Sequence, residues 1–284
     1  MSTIAITGAT GQLGRLVIKQ LKTKVPATQI VALVRNPERA SSLGVQARAA
    51  DYNKPETLTA ALNGVKTLLL ISGNELGQRA QQHRNVIAAA KAAGVEWIVY
   101  TSLLHADRSP IAALAGEHTD TEKALKTSGI AYTVLRNGWY TENYTGSVPG
   151  AVAGGAFLGA AGEARINSAA RADYAEAAAI VLASEGHKGK VYELAGDVAY
   201  TLADLAAEIS RQTGSTIPYK NLTEAEYAAA LAGFGLPQPM AHAFASFDTG
   251  AAQGGLFDDS RQLSKLLGHP TTPLSVSVAA ALKK

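Results

Sequence analysis

The stretch Ile4-Ala5-Ile6-Thr7-Gly8-Ala9-Thr10-Gly11-Gln12-Leu13-Gly14 decides how the rest of the chain is read. An apolar run enters a G-x-x-G-x-x-G turn, and the turn opens an amphipathic stretch over 13–22. Each glycine has its own task. Gly8 makes the tight turn, Gly11 lets backbone approach a pyrophosphate, and Gly14 lets the helix pack closely on the strand. The free N–H groups and positive end of the helix then receive the phosphates. Loops contain glycine for many reasons, so the motif needs its context: a strand before it, a helix after it and an alternating α/β chain beyond. The phosphates of a dinucleotide are therefore expected on this turn and on the start of the helix after it.

That alternation is present. Short apolar runs occur at 3–7, 29–34, 67–71, 95–101 and 131–135, with a weaker one at 45–50. Helical periodicity fills 13–22, 55–62, 78–93 and 116–128 between them. Strands alternating with helices predict right-handed βαβ units and a parallel sheet. Their continuous apolarity predicts helices on both faces. Beyond 135 the texture changes. Residues 137–170 are rich in Gly, Ala, Asn and Ser, and 237–255 has no readable period. Helices are expected at 171–184, 201–213, 223–232 and 258–267, and a strand at 190–194. Thr201 is a candidate N-cap, and Thr223 with Glu226 forms a capping-box pattern. The expected fold class is α/β: a Rossmann-like doubly wound parallel sheet (residues 1–136) with a small C-terminal substrate lobe. The lobe takes most of 137–284, with segments around 171–200 returning to the sheet.

Composition narrows the function. The 284 residues are 47 % apolar and 17 % charged, with a formal charge of +3, so no disordered chain is indicated. The small charge excess forms no Lys/Arg run, which argues against nucleic acid. No apolar stretch is long enough for a transmembrane helix, so no membrane span is expected. Cysteine is absent, excluding disulfides and thiolate metal sites. The opening MSTIAITG has no basic or apolar leader pattern, and a cytoplasmic location is expected. The six histidines lack H-x-x-x-H spacing, and there is no G-x-S-x-G elbow, so neither a catalytic metal nor hydrolase chemistry is expected.

The second strand selects the cofactor. In NAD-binding folds an acid about 20 residues past the glycine loop holds the ribose 2′-OH. Here Ile30-Val31-Ala32-Leu33-Val34 ends in Arg35-Asn36. A guanidinium fork suits a 2′-phosphate, which favours NADPH. Asp51, ending the third run, is either an adenine contact or a turn residue.

The segments TGATGQLG at 7–14, VRN at 34–36, YTSLLHAD at 100–107, LRNGWYTENY at 135–144 and GGLFDDS at 254–260 resemble the NmrA-like, atypical branch of the short-chain dehydrogenase/reductase family. The likeness is to its bacterial NADPH-dependent quinone reductases, with the triphenylmethane reductases as near relatives, over nearly the whole chain. The resemblance implies NADPH with its pyrophosphate on Gly8, Ala9, Thr10, Gly11, Gln12 and Leu13 and its 2′-phosphate on Arg35, with Ser72, Gly73 and Asn74 near the ribose. It places Asn137, Gly138, Trp139 and Tyr140 near the nicotinamide.

Typical short-chain dehydrogenases use a Y-x-x-x-K pair. Here Thr119 stands where the Tyr belongs, and Lys123 matches the Lys. Lys123, Tyr140 and His105 are the catalytic candidates, and Ser102 matches the family's Ser/Thr position. Reduction of a ketone makes an alkoxide, which needs a positioned acid. Reduction of a quinone makes a phenolate-like anion with a pKa of about 10, which water can protonate. The missing Tyr therefore points to quinones or similar electron-poor acceptors, reduced by two electrons without flavin or metal. Catalysis would rest mainly on proximity and orientation. Trp139, Tyr140 and Tyr144 offer flat faces for such a ring. The alternative is an NADPH-sensing regulatory protein of the NmrA type with little turnover.

Overall fold

In the computed structural model, which describes residues 3–283, the opening run becomes β1 (Ile4–Ile6) and the helix after it α1 (Gln12–Leu21). The chain continues through β2 (Ile30–Val34), β3 (Gln46–Ala49), α2 (Pro55–Ala61), β4 (Thr67–Leu70), α3 (Arg79–Ala92), β5 (Trp97–Leu103), α4 (Ala112–Ser128) and β6 (Ala131–Asn137). Then follow α5 (Thr141–Thr145), α6 (Val148–Gly154), β7 (Phe157–Gly159), α7 (Arg171–Ala183), β8 (Val191–Leu194), α8 (Leu202–Thr213) and β9 (Tyr219–Asn221). The last helices are α9 (Glu224–Gly233), α10 (Gln238–Ala252), α11 (Gln262–Leu267) and α12 (Leu274–Leu282).

Seven strands form one parallel sheet in the order β3-β2-β1-β4-β5-β6-β8, and β7 pairs with β9 apart from it. The period of two explains the continuous apolar runs. Ile4, Ile6, Leu69 and Val99 face α1, α7 and α11, whereas Ala5, Leu68, Leu70 and Ile98 face α2, α3 and α4. Each buried Leu, Ile or Val contributes about 1.5–3 kcal/mol relative to exposure. A third core, with Val148, Phe157, Leu205, Ile209, Phe247 and Val278, belongs to the lobe. Leu103, Ile111 and Leu114 join it from the end of β5 and the start of α4.

Several expected elements move. α4 begins at Ala112, four residues before position 116. The helix expected at 258–267 shortens to α11, because Asp258 Oδ1 accepts the N–H and hydroxyl of Ser260 and holds a turn there. α11 packs on α7 and β8, so 262–267 joins the sheet layers as well as 171–194. The stretch without a readable period is α10, which tolerates Pro239 because a first-turn N–H has no helical partner. Among the described residues no helix is long and apolar enough to cross a membrane.

Candidate active site

β1 is where the sheet order reverses: β2 lies on one side of it and β4 on the other. Ligands of open α/β sheets bind beyond the carboxyl ends of strands at such a switch point. A cleft of about 870 Å³ opens there, between the sheet ends and the lobe. Its floor is the glycine loop. Gly8 has φ +57°, and the Gly11 N–H donates to the Gly8 carbonyl at 2.8 Å. A Cβ at Gly14 would stand 2.4 Å from that same oxygen, so the third glycine permits the close helix–strand contact. α1 starts at Gly11 without a side-chain cap and without an acid in its first turn. Its first N–H groups and positive end are thus left for an anion. Ala9 is fully buried beneath the loop and does not line the cleft.

Arg35 follows β2 on the cleft wall, exposed and without a partner among the described residues. Asp51 is also on the wall. Its Oδ1 accepts the Asn53 N–H at 3.0 Å, so it serves at least as a turn residue. Ser72, Gly73 and Asn74 line the cleft after β4. This loop is pinned from below. The Ser72 N–H donates to Thr101 Oγ1 at 2.9 Å, the Gly73 N–H to His83 Nε2 at 2.9 Å, and Arg79 Nε to the Gly73 carbonyl at 2.6 Å. Because Nε2 accepts, the ring proton of His83 is on Nδ1, facing Thr121 Oγ1 at 2.9 Å. Burial, helped by the Arg79 charge, pushes His83 down to about 3. The imidazole is therefore neutral at pH 7 and remains an acceptor.

The far wall is built differently. Trp139 and Tyr140 follow β6, and Phe244 and Phe247 come from α10. Trp139 meets the Phe247 edge at 5.5 Å between centroids, and Phe247 meets Phe244 at 5.8 Å. The Tyr140 ring lies 4.5 Å from the Arg171 guanidinium and 5.2 Å from Tyr174. Burial raises the Tyr140 phenol, keeping it protonated. Asn137 and Gly138 stand one layer back from the wall. Asn137 Nδ2 reaches the Tyr140 hydroxyl at 3.5 Å, and its buried Oδ1 has no partner among the described residues. An uncapped helix start and an exposed guanidinium fit the phosphates and the 2′-phosphate of a nicotinamide dinucleotide.

The family model for NAD(P)H-binding proteins matches residues 8–185, which span the glycine loop, the cleft's sheet side and α7. The chain belongs to the NAD(P)H-binding family. It is 61 % identical over 279 residues to quinone oxidoreductase 2 of Escherichia coli, covering 97 % of each chain. The crystal structure of the NADPH-dependent quinone oxidoreductase of that organism in complex with NADPH superposes with a TM-score of 0.96, at 60 % identity, over 99 % of this chain and 100 % of that one. The triphenylmethane reductase of Citrobacter, complexed with NADP(H), superposes with a TM-score of 0.94 at 41 % identity, covering 98 % and 100 %.

Within this NAD(P)H-binding frame the catalytic candidates separate. Tyr140 is on the cleft wall. Lys123 is not: its side chain is 77 % exposed and pairs with Asp120 at 3.6 Å on the solvent face of α4. The helix turns His118, Thr121 and Leu125 inward, which leaves position 123 outside. His105 is also off the wall. It sits in the left-handed region (φ 51°), with Nε2 on Asp258 Oδ2 at 2.9 Å and its N–H on Glu193. Thr119 donates to the Gly116 carbonyl of its own helix. Ser102 donates to Glu122 Oε1 at 2.6 Å, and Glu122 takes both Nε and an Nη of Arg136. His118 is buried against the Tyr100 hydroxyl and is pushed down to about 3, chiefly by burial. Tyr144 is buried on Asp248, outside the cleft lining.

On the far wall Asn143, Arg171, Phe244 and Phe247 escape the sequence reading, and at the sheet end so do Tyr52, Asn53, Glu75, Arg79 and Gln82. Arg171 had a signal, being a cation at the first position of a helix that returns to the sheet. Asn143 Oδ1 accepts from it at 3.4 Å. Phe244 and Phe247 had only their three-residue spacing in a stretch with no polar face to set the period.

Proposed function

We propose that the protein is an NADPH-dependent quinone reductase. The observation that carries this reading is one cleft that begins at an uncapped helix start with a free arginine and ends at an aromatic wall. Bound NADPH supplies a hydride to the quinone, which takes up one proton, giving NADP⁺ and hydroquinone. The residues of the chain bind and orient. The start of α1 holds the pyrophosphate, and Arg35 makes the phosphorylated cofactor preferred. The pinned loop Ser72–Gly73–Asn74 supports the ribose, and Tyr140, held from behind by Asn137, borders the nicotinamide. Trp139, Tyr140, Phe244 and Phe247 stack on a flat acceptor and keep water from its faces.

No wall residue makes a tyrosine–lysine pair, and this chemistry does not require one. The product anion is a phenolate-like base that solvent protonates. Tyr140, neutral at pH 7, is available as a donor but adds little to a step whose barrier is lowered mainly by positioning. The test is direct. Purified protein is mixed with NADPH and 1,4-benzoquinone, and the nicotinamide absorbance is followed. Loss well above the uncatalysed rate, faster with NADPH than with NADH, is expected. Tight NADPH binding without turnover of any quinone would overturn the reading.

A further inference from the structure

The aromatic wall does not stop at the cleft mouth. Met240, Phe244 and Phe247 are spaced by four and three residues, so they share one face of α10. Phe247 is buried at 7 %, Phe244 at the cleft edge is 40 % exposed, and Met240 beyond it is 50 % exposed. The stripe thus runs from inside the cleft to open solvent, over about 10 Å at 1.5 Å per residue. The turn between α9 and α10 adds Phe234, 70 % exposed. From Tyr227 to Phe247 there is no Asp, Glu, Lys or Arg, although at the chain's 17 % share three or four would be usual. Apolar side chains left in water beside a binding cleft, on a surface cleared of charge, mark a place where apolar ligand surface lies.

We infer that the substrate is a quinone with an alkyl or prenyl side chain, whose ring stacks at Trp139 and Phe247 and whose tail runs out along Phe244 and Met240. This rests on the quinone-reductase reading and names the substrate class of the same site. The occupant is argued from continuity. The stripe is an extension of the cleft wall, and it starts at a residue that itself lines the cleft. Contact with an open helix face strips water from about half of the tail, so each methylene is worth roughly a twofold gain in affinity, against about fourfold for full burial.

The test compares 2-methyl- with 2-hexyl-1,4-benzoquinone. Two quantities are read: kcat/KM with NADPH, and the calorimetric Kd of the corresponding hydroquinones with NADP⁺ present. In the wild type both favour the hexyl compound by roughly ten- to thirtyfold. In Met240→Asp, and in Met240→Asp combined with Phe234→Asp, the hexyl-to-methyl ratio falls towards one. Measured within each variant, that ratio is independent of how much protein folds. Val198→Asp, at an apolar position 76 % exposed elsewhere on the surface, keeps the wild-type ratio. A wild-type ratio near one, or a ratio that survives both hairpin variants, would overturn the tail track. So would hairpin variants that only lose binding to phosphatidylcholine vesicles, or only change oligomeric state, at an unaltered ratio. In each of those cases turnover of the short quinone remains, and the quinone-reductase reading stands. Turnover of no quinone at all would sink both.

Discussion

At the phosphate end of the cleft the working surface is backbone. Gly8 to Leu13 are contiguous, and the contact that shapes them is a carbonyl 2.4 Å from where a Gly14 Cβ would stand. At the lobe end the surface is side chains: Trp139 and Tyr140 from the end of β6, Arg171 from α7, and Phe244 and Phe247 from α10. Backbone surfaces tolerate almost no change, because no rotamer can relieve a clash. Side-chain surfaces can be retuned one residue at a time. The phosphate end should therefore be brittle and the lobe end adaptable.

The largest effect should come from Gly14→Ala. Its methyl would press on the Gly8 carbonyl and Ala9 backbone, and a cost of about 3 kcal/mol is expected, with loss of NADPH binding. Denaturant unfolding and a cofactor titration measure both. A variant of normal stability and affinity would show that the loop is not rigid. At the lobe end the matching probe is Asp248, just after Phe247 and buried without an ion-pair partner among the described residues. Its Oδ2 accepts the Ala160 N–H at 2.8 Å and its Oδ1 the Tyr144 hydroxyl at 3.4 Å. Burial raises its carboxyl from 3.8 to about 6. The folded chain thus keeps a proton that the unfolded chain releases between these values. Stability falls as pH rises through that window and stays lower by up to about 3 kcal/mol above it. Asp248→Asn keeps the Ala160 N–H bond on its amide oxygen and reverses the Tyr144 contact, the amide N–H donating to the phenol oxygen. It should remove this pH dependence, raising Tm at pH 8 more than at pH 4. Equal Tm shifts at the two pH values would refute the assignment.

Arg35→Ala sharpens the comparison at the phosphate end, where a side chain does enter. Loss of a charge-assisted contact is worth about 1.5–3 kcal/mol, or roughly ten- to a hundredfold in NADPH affinity, with NADH affinity unchanged. Equal losses for both cofactors would place the guanidinium elsewhere. The smallest effect is expected from Tyr140→Phe, which keeps the ring against Arg171 and removes only the hydroxyl. Turnover should fall by less than about tenfold, near 1.4 kcal/mol or below. A thousandfold fall at unchanged NADPH affinity would mean that the hydroxyl is an obligatory proton donor.

The same contrast explains what could be read before the structure. The strands β1, β2 and β4 announce themselves because both faces of the sheet are covered there and nearly every position is apolar, whereas β3 at the sheet edge, Gln-Ala-Arg-Ala and partly exposed, reads weakly. The glycine loop is legible because its constraints are local. Lys123 matched a motif by spacing, but spacing does not say which face of α4 meets the sheet; His118, Thr121 and Leu125 take that face. α10 was unreadable because its outer side is itself apolar, which erases the contrast that makes a helical period visible. β7 and β9, three residues each, are too short to show an alternation. Phe244, Phe247 and Arg171 meet only through tertiary contacts between distant segments, and no local pattern reports that.

The way the chain threads its two bodies limits how this enzyme can be rebuilt. After β6 it enters the lobe, returns through α7 and β8, leaves again for α8 to α10, returns as α11, and ends in the lobe as α12. The lobe is consequently not a cassette that recombination at one junction can exchange. Grafting a new acceptor preference from a relative would require transplanting several separated segments together, or else repainting individual side chains on α10 while leaving the path of the chain alone.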